Sequence, residues 1–116
     1  MIYRIPKMLI FLGLIISANV AACSASQFTL EEKNVSECFA ISVVYNGISK
    51  KNGASAGQVA SLNEISNRYQ RKFEESVSNL SRKDGDINKY SAITKEKMRL
   101  VADNPLNYKQ EFARCV

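Results

Sequence analysis

From Phe28 onward the apolar positions recur with a helical period. Thr29-Leu30-Glu31-Glu32 is a T-x-x-E pattern, which predicts a capping box with Thr29 as N-cap. The first helix is expected from Leu30 to about Lys51, with Asn52-Gly53 as its stop. No charged residue occurs between Cys38 and Ser49. Cys38, Ile41, Tyr45 and Ile48 share one face, and Phe39, Val43 and Val44 widen it, so this helix belongs at the centre of the domain. The run 39–45 is β-branched enough for a strand, but no partner strand is evident elsewhere. After the loop 52–57, a second helix spans about Ser55 to Ser81. Its stripe is Val59, Leu62, Ile65, Tyr69, Phe73, Val77 and Leu80, and the i,i+4 pairs Glu64–Arg68 and Arg71–Glu75 lie on the other side.

The turn 82–86 offers Asp86 as N-cap for a third helix, whose apolar side is Ile87, Tyr90, Ile93, Met98, Leu100 and Val101. Asp103-Asn104-Pro105 breaks it. Asn104 is the expected N-cap and Pro105 the first residue of a short last helix, with Leu106, Tyr108, Phe112, Ala113, Cys115 and Val116 inward. The predicted fold class is all-α: a small bundle of three longer helices plus a short C-terminal helix, one domain over residues 30–116.

The segment before this domain has a different character. Arg4 and Lys7 precede the apolar run Met8–Ile16, and small residues follow. That is the tripartite pattern of a secretory signal, with residues 1–22 as the leader and 23–29 as a tether. No charge occurs between Lys7 and Glu31, so an uncleaved anchor is an alternative. Val20-Ala21-Ala22-Cys23 resembles the lipobox of bacterial lipoproteins, with Val where Leu is commoner. The resemblance covers residues 1–23 only. It implies cleavage before Cys23, lipidation of the Cys23 thiol, and acyl chains that hold the protein on a membrane. Ser24 follows where Asp would signal inner-membrane retention, so the resemblance implies the outer membrane, facing the periplasm. An ordinary signal peptide, releasing a soluble periplasmic or secreted protein, is the alternative.

The cysteine count adds to this picture. Three cysteines are odd for an exported protein. If Cys23 carries lipid, Cys38 and Cys115 remain as a pair, and an oxidising compartment favours their disulfide. With no histidine in the chain, two cysteines cannot complete an ordinary structural zinc site, so neither metal nor cofactor is expected.

Charge excludes more than it proposes. The 116 residues carry 16 Lys+Arg against 11 Asp+Glu; without Arg4 and Lys7 the basic count is 14. So small a surplus aids solubility and gives no footprint for nucleic acid. The missing histidine removes the commonest general base, there is no Gly-rich phosphate loop, and the acids fall on helix exteriors, so no enzymatic activity is expected. Asn34-Val35-Ser36 and Asn79-Leu80-Ser81 match the glycosylation sequon, which matters only in a eukaryotic source.

Three features could carry binding. Lys97 falls within the third helix's apolar stripe, where its stem packs while the ammonium reaches water, or where it meets an acidic group on a partner. Arg68, Arg71 and Lys72 form a basic cluster, either a docking patch or a solvated face. Tyr45, Tyr69, Tyr90 and Tyr108 occur one per helix, as core fillers or as the lining of a ligand site. The expected function is a protein-binding module of the envelope (inhibitor, immunity or exclusion type), with an unidentified envelope protein as partner. A structural accessory of a secretion or conjugation complex is the alternative.

Overall fold

The computed structural model describes residues 28–116; the leader, the lipobox-like boundary and Cys23 lie outside them. Four α-helices follow one another: α1 (Leu30–Lys51), α2 (Ala56–Arg82), α3 (Ile87–Asp103) and, after a 3-10 turn at Pro105–Tyr108, α4 (Lys109–Ala113). The fold class is the one the periodicity predicts. No helix among the described residues is long and apolar enough to cross a membrane.

Local chemistry sets the helix ends. At α1 the capping box closes: Thr29 Oγ1 accepts from the Glu32 amide at 3.0 Å, and Glu32 Oε1 accepts from the Thr29 amide at 2.8 Å. Glu31 and Glu32 then sit at the positive end of the helix dipole, and Lys50 and Lys51 at the negative end. Ser55 and Gln58 form a second box at the start of α2. That helix ends in a Schellman turn, with Asp84 at φ 57° and the Gly85 amide donating to the Leu80 carbonyl at 2.6 Å. A Cβ at Gly85 would stand 2.7 Å from Leu80 Cδ2 and 3.1 Å from the Leu80 carbonyl oxygen, so a side chain there would force the buried Leu80 to shift. Asp86 caps α3 through the Lys89 amide at 2.9 Å.

Helix α1 is central, with α2 and α3 packed on it. Ala40, Ile41 and Ser42 are fully buried, as its uncharged stretch requires. Near the α2–α3 turn, Phe28, Leu80 and Tyr90 form one core cluster with Phe73, Val77 and Ile87. Midway along α1, Cys38, Tyr69 and Cys115 form a second with Phe39, Ile65 and Phe112. The Phe39–Phe73 ring pair at 4.9 Å connects the two.

Three expectations need correction. The buried stripe of α3 runs Ile87, Tyr90, Thr94, Lys97 and Val101, while Ile93 and Leu100 are exposed. Those two positions lie about a quarter-turn off the i, i+3, i+7 line. Thr94 is tolerated inside because its hydroxyl meets Ser36 Oγ at 2.6 Å and donates to the Tyr90 carbonyl. The last segment does not begin as an α-helix capped by Asn104. Pro105–Tyr108 is 3-10, Asn104 makes no side-chain cap, and Leu106, Ala113 and Val116 are exposed. Three residues per turn eclipse i with i+3 and rotate Leu106 outward. Finally, neither Glu64–Arg68 nor Arg71–Glu75 closes to an ion pair; the pairs among the described residues are Glu32–Lys83, Lys97–Glu111, and Arg99 with Glu96 and Asp103.

Candidate functional site

One polar constellation lies where the C-terminal strap, residues 104–116, meets α1. The α3 stripe brings Lys97 inward, and its Nζ lies 2.9 Å from Glu111 Oε2 on α4 and 5.0 Å from the Tyr108 ring centroid. Neither side chain of this pair is more than 27% exposed. The ammonium is thus engaged within the molecule, by a carboxylate fourteen positions away that sequence reading did not connect to it. Beside the pair, a cleft of about 260 Å³ is lined by Asn34, Glu37, Cys38, Lys97, Glu111 and Arg114.

The disulfide expected from the cysteine count is present. Cys38 and Cys115 are bonded with Cα atoms 5.6 Å apart, and both residues are buried. Further contacts fasten the strap. The Tyr45 hydroxyl donates to the Pro105 carbonyl at 2.6 Å, and its ring meets Phe112 edge-on at 4.9 Å. Burial pushes the Tyr45 pKa up, and the nearby Glu111 charge adds to it.

Side-chain contacts divide the basic cluster, with Arg68 and Lys72 against one ring and Arg71 outward. Arg68 is half-buried and donates to the Cys115 carbonyl at 3.3 Å, with its guanidinium 5.6 Å from the Tyr69 ring. Lys72 lies 5.3 Å from the same ring and lines a polar groove with Glu31, Glu32, Glu75, Asn79 and Lys83. Arg71 is exposed on the outer side of α2. That groove contains a residue the sequence reading placed on a helix exterior. Glu32 is 5% exposed, held by its own capping box and by Lys83 Nζ at 3.4 Å.

The tyrosines likewise do not gather. Tyr90 is 1% exposed, stacked on Phe73 at 5.1 Å, and its hydroxyl donates to the Glu32 carbonyl at 2.6 Å. Burial raises its pKa, the Glu32 charge raises it further, and a Ser76 hydrogen bond opposes them. Tyr69 packs against the disulfide, while Tyr45 and Tyr108 belong to the strap. They divide between two core clusters and the strap contacts, which is the arrangement of core fillers.

Among the described residues no group of three His, Cys, Asp or Glu side chains is placed to hold a metal ion. Comparison with protein-family models, curated proteins and solved structures finds no match.

Proposed function

We propose that this chain is a small, non-enzymatic lipoprotein of the bacterial envelope that acts as a protein-binding module of the inhibitor, immunity or exclusion type. One observation carries the reading. Cys38 and Cys115 are joined to each other, which leaves Cys23 as the odd cysteine, at the end of a lipobox-like leader. The buried disulfide also suits an oxidising compartment. A histidine-free chain most of whose inward polar groups bond within the fold, Asn46 Oδ1 excepted, supports binding in preference to catalysis. The surface offered to a partner is the outer side of α2, where Glu64, Arg71, Glu74 and Glu75 are exposed.

Two measurements test it. Palmitate labelling of the expressed chain is lost on Cys23→Ser, and globomycin, which blocks signal peptidase II, makes the precursor accumulate. Equal labelling of the variant, or a mature N-terminus at Ser26, overturns the anchor. Photocross-linkers placed at Arg71 and Glu75 in intact cells give one discrete adduct. No adduct from either position overturns the binding role.

A further inference from the structure

We infer that one side of the bundle, made of the start of α1, the flank of α3 and the end of the strap, lies against the bilayer that holds the Cys23 acyl chains. This rests on the lipid-anchor reading above. The large hydrophobic side chains left exposed among the described residues are Leu30 (84%), Ile93 (43%), Leu100 (38%), Leu106 (72%) and Val116 (74%), and none belongs to α2. They share a side. Leu30 borders a groove with Lys33, Asn34, Glu37 and Arg114. Ile93 borders the adjoining groove with Phe28, Lys33 and Glu37. Val116 follows Arg114 by two residues, and Leu100 follows Ile93 by seven, two turns up the same flank.

The reach of the chain selects the occupant. The five residues 23–27 between lipid and domain span at most about 18 Å when extended. Cys38, which fixes the strap's end, lies ten residues above Phe28, or about 15 Å at helical rise. Leu100 lies ten residues above Tyr90, whose ring packs on Phe28. The acyl chains therefore reach the plane of this face along most of its length. Charge does not oppose the contact. Lys97 and Glu96 are already paired with Glu111 and Arg99. Lys33, Lys89 and Arg114 can extend apolar stems along the surface with their charges at headgroup level, opposite Glu31 and Glu37. An end-on stance would instead press the charged turn of Lys83, Asp84 and Asp86 onto the lipid. Lying on this side, the protein turns the outer face of α2 towards the periplasm.

The test uses the lipidated full chain in phosphatidylethanolamine–phosphatidylglycerol vesicles. Cys38 and Cys115 are joined and Cys23 is acylated, so an added cysteine is the free thiol for a fluorophore. Ile93→Cys and Leu30→Cys, both at exposed positions, are compared with Ser78→Cys on α2. Brominated acyl chains are expected to quench the labels at 30 and 93 and spare the label at 78. Equal quenching at all three, with palmitate incorporation intact, overturns the orientation while the anchor stands. Labels at 30 and 93 shielded from aqueous quencher yet untouched by brominated lipid mean that protein covers the face, which also overturns it. No palmitate on the unmodified chain overturns anchor and orientation together.

Discussion

Lys97 places a charge within the apolar stripe of α3, so its ion pair is the place to perturb first. Lys97→Met keeps the unbranched stem in the α3 stripe and removes the charge. Glu111→Gln removes the other half, and the double variant closes a cycle. The pair is neither surface nor core, with side chains 18% and 27% exposed at 2.9 Å. Exposed pairs are worth about 0–1 kcal/mol and breaking a fully buried one costs about 3–5 kcal/mol, so partial hydration sets a coupling of about 1–2 kcal/mol here. Loss of the Lys97 contact with the Tyr108 ring adds about 0.5–1 kcal/mol to the lysine variant alone. The thioether that replaces the ammonium recovers part of both costs by packing in the stripe, so Lys97→Met is expected to destabilise by about 1 kcal/mol. In a domain of this size that lowers Tm by about 4–8 °C. Urea denaturation of the oxidised protein gives each corner of the cycle, repeated at high salt, where the exposed part of the coupling shrinks. Additive single variants would refute the reasoning, because the ammonium would then be solvated and the strap held by other contacts.

Two more outcomes follow from the same geometry. Cys38→Ala with Cys115→Ala opens a loop of sequence separation 77, and the chain-entropy model puts the loss at up to about 4.5 kcal/mol; an unchanged Tm would show that the strap is held without it. Tyr45 and Tyr90 both have pKa values raised in the folded state, chiefly by burial, so the unfolded chain gives up those protons first. Their contribution to stability is whole below about pH 10 and falls as pH rises towards the folded values. Tyr90→Phe should lose stability at neutral pH, through the hydrogen bond to the Glu32 carbonyl, and show a shallower alkaline decline. An alkaline slope identical to that of the native chain would refute the assignment.

Helix positions were legible in the sequence because caps and periodicity are local. The boxes at Thr29 and Ser55 and the Asp86 cap specify three helix starts, and the seven stripe positions of α2 are all buried or half-buried. The disulfide was legible by counting, since the lipobox resemblance sets Cys23 apart from the other two cysteines. What could not be read depends on partners distant in sequence. Thr94 replaces Ile93 in the interior because Ser36, 58 residues away, satisfies its hydroxyl. Glu32 is buried where Lys83 from the end of α2 and Tyr90 from α3 meet a capping residue of α1. Arg68 turns from Glu64 to the Cys115 carbonyl because the disulfide brings the chain's end beside α2. The one available hint to Glu111 was an unexplained cation on an apolar stripe, which asks for a carboxylate without saying where it lies.

The position of the disulfide also decides how the molecule carries tension. Cys38 and Cys115 enclose α2, α3, α4 and the rest of α1 in a covalent ring, and only residues 28–37 and Val116 of the described chain lie outside it. A pull entering at the N-terminus and resisted by a partner on α2 meets the ring at Cys38. The first two turns of α1, held by Phe28 and the Thr29–Glu32 box, are the part that can be peeled. Beyond them the load divides between the two arms of the ring, so the rest of α1 extends only if the strap and α3 yield with it. The helices inside stay joined even if a protease cuts the loop at Gly53.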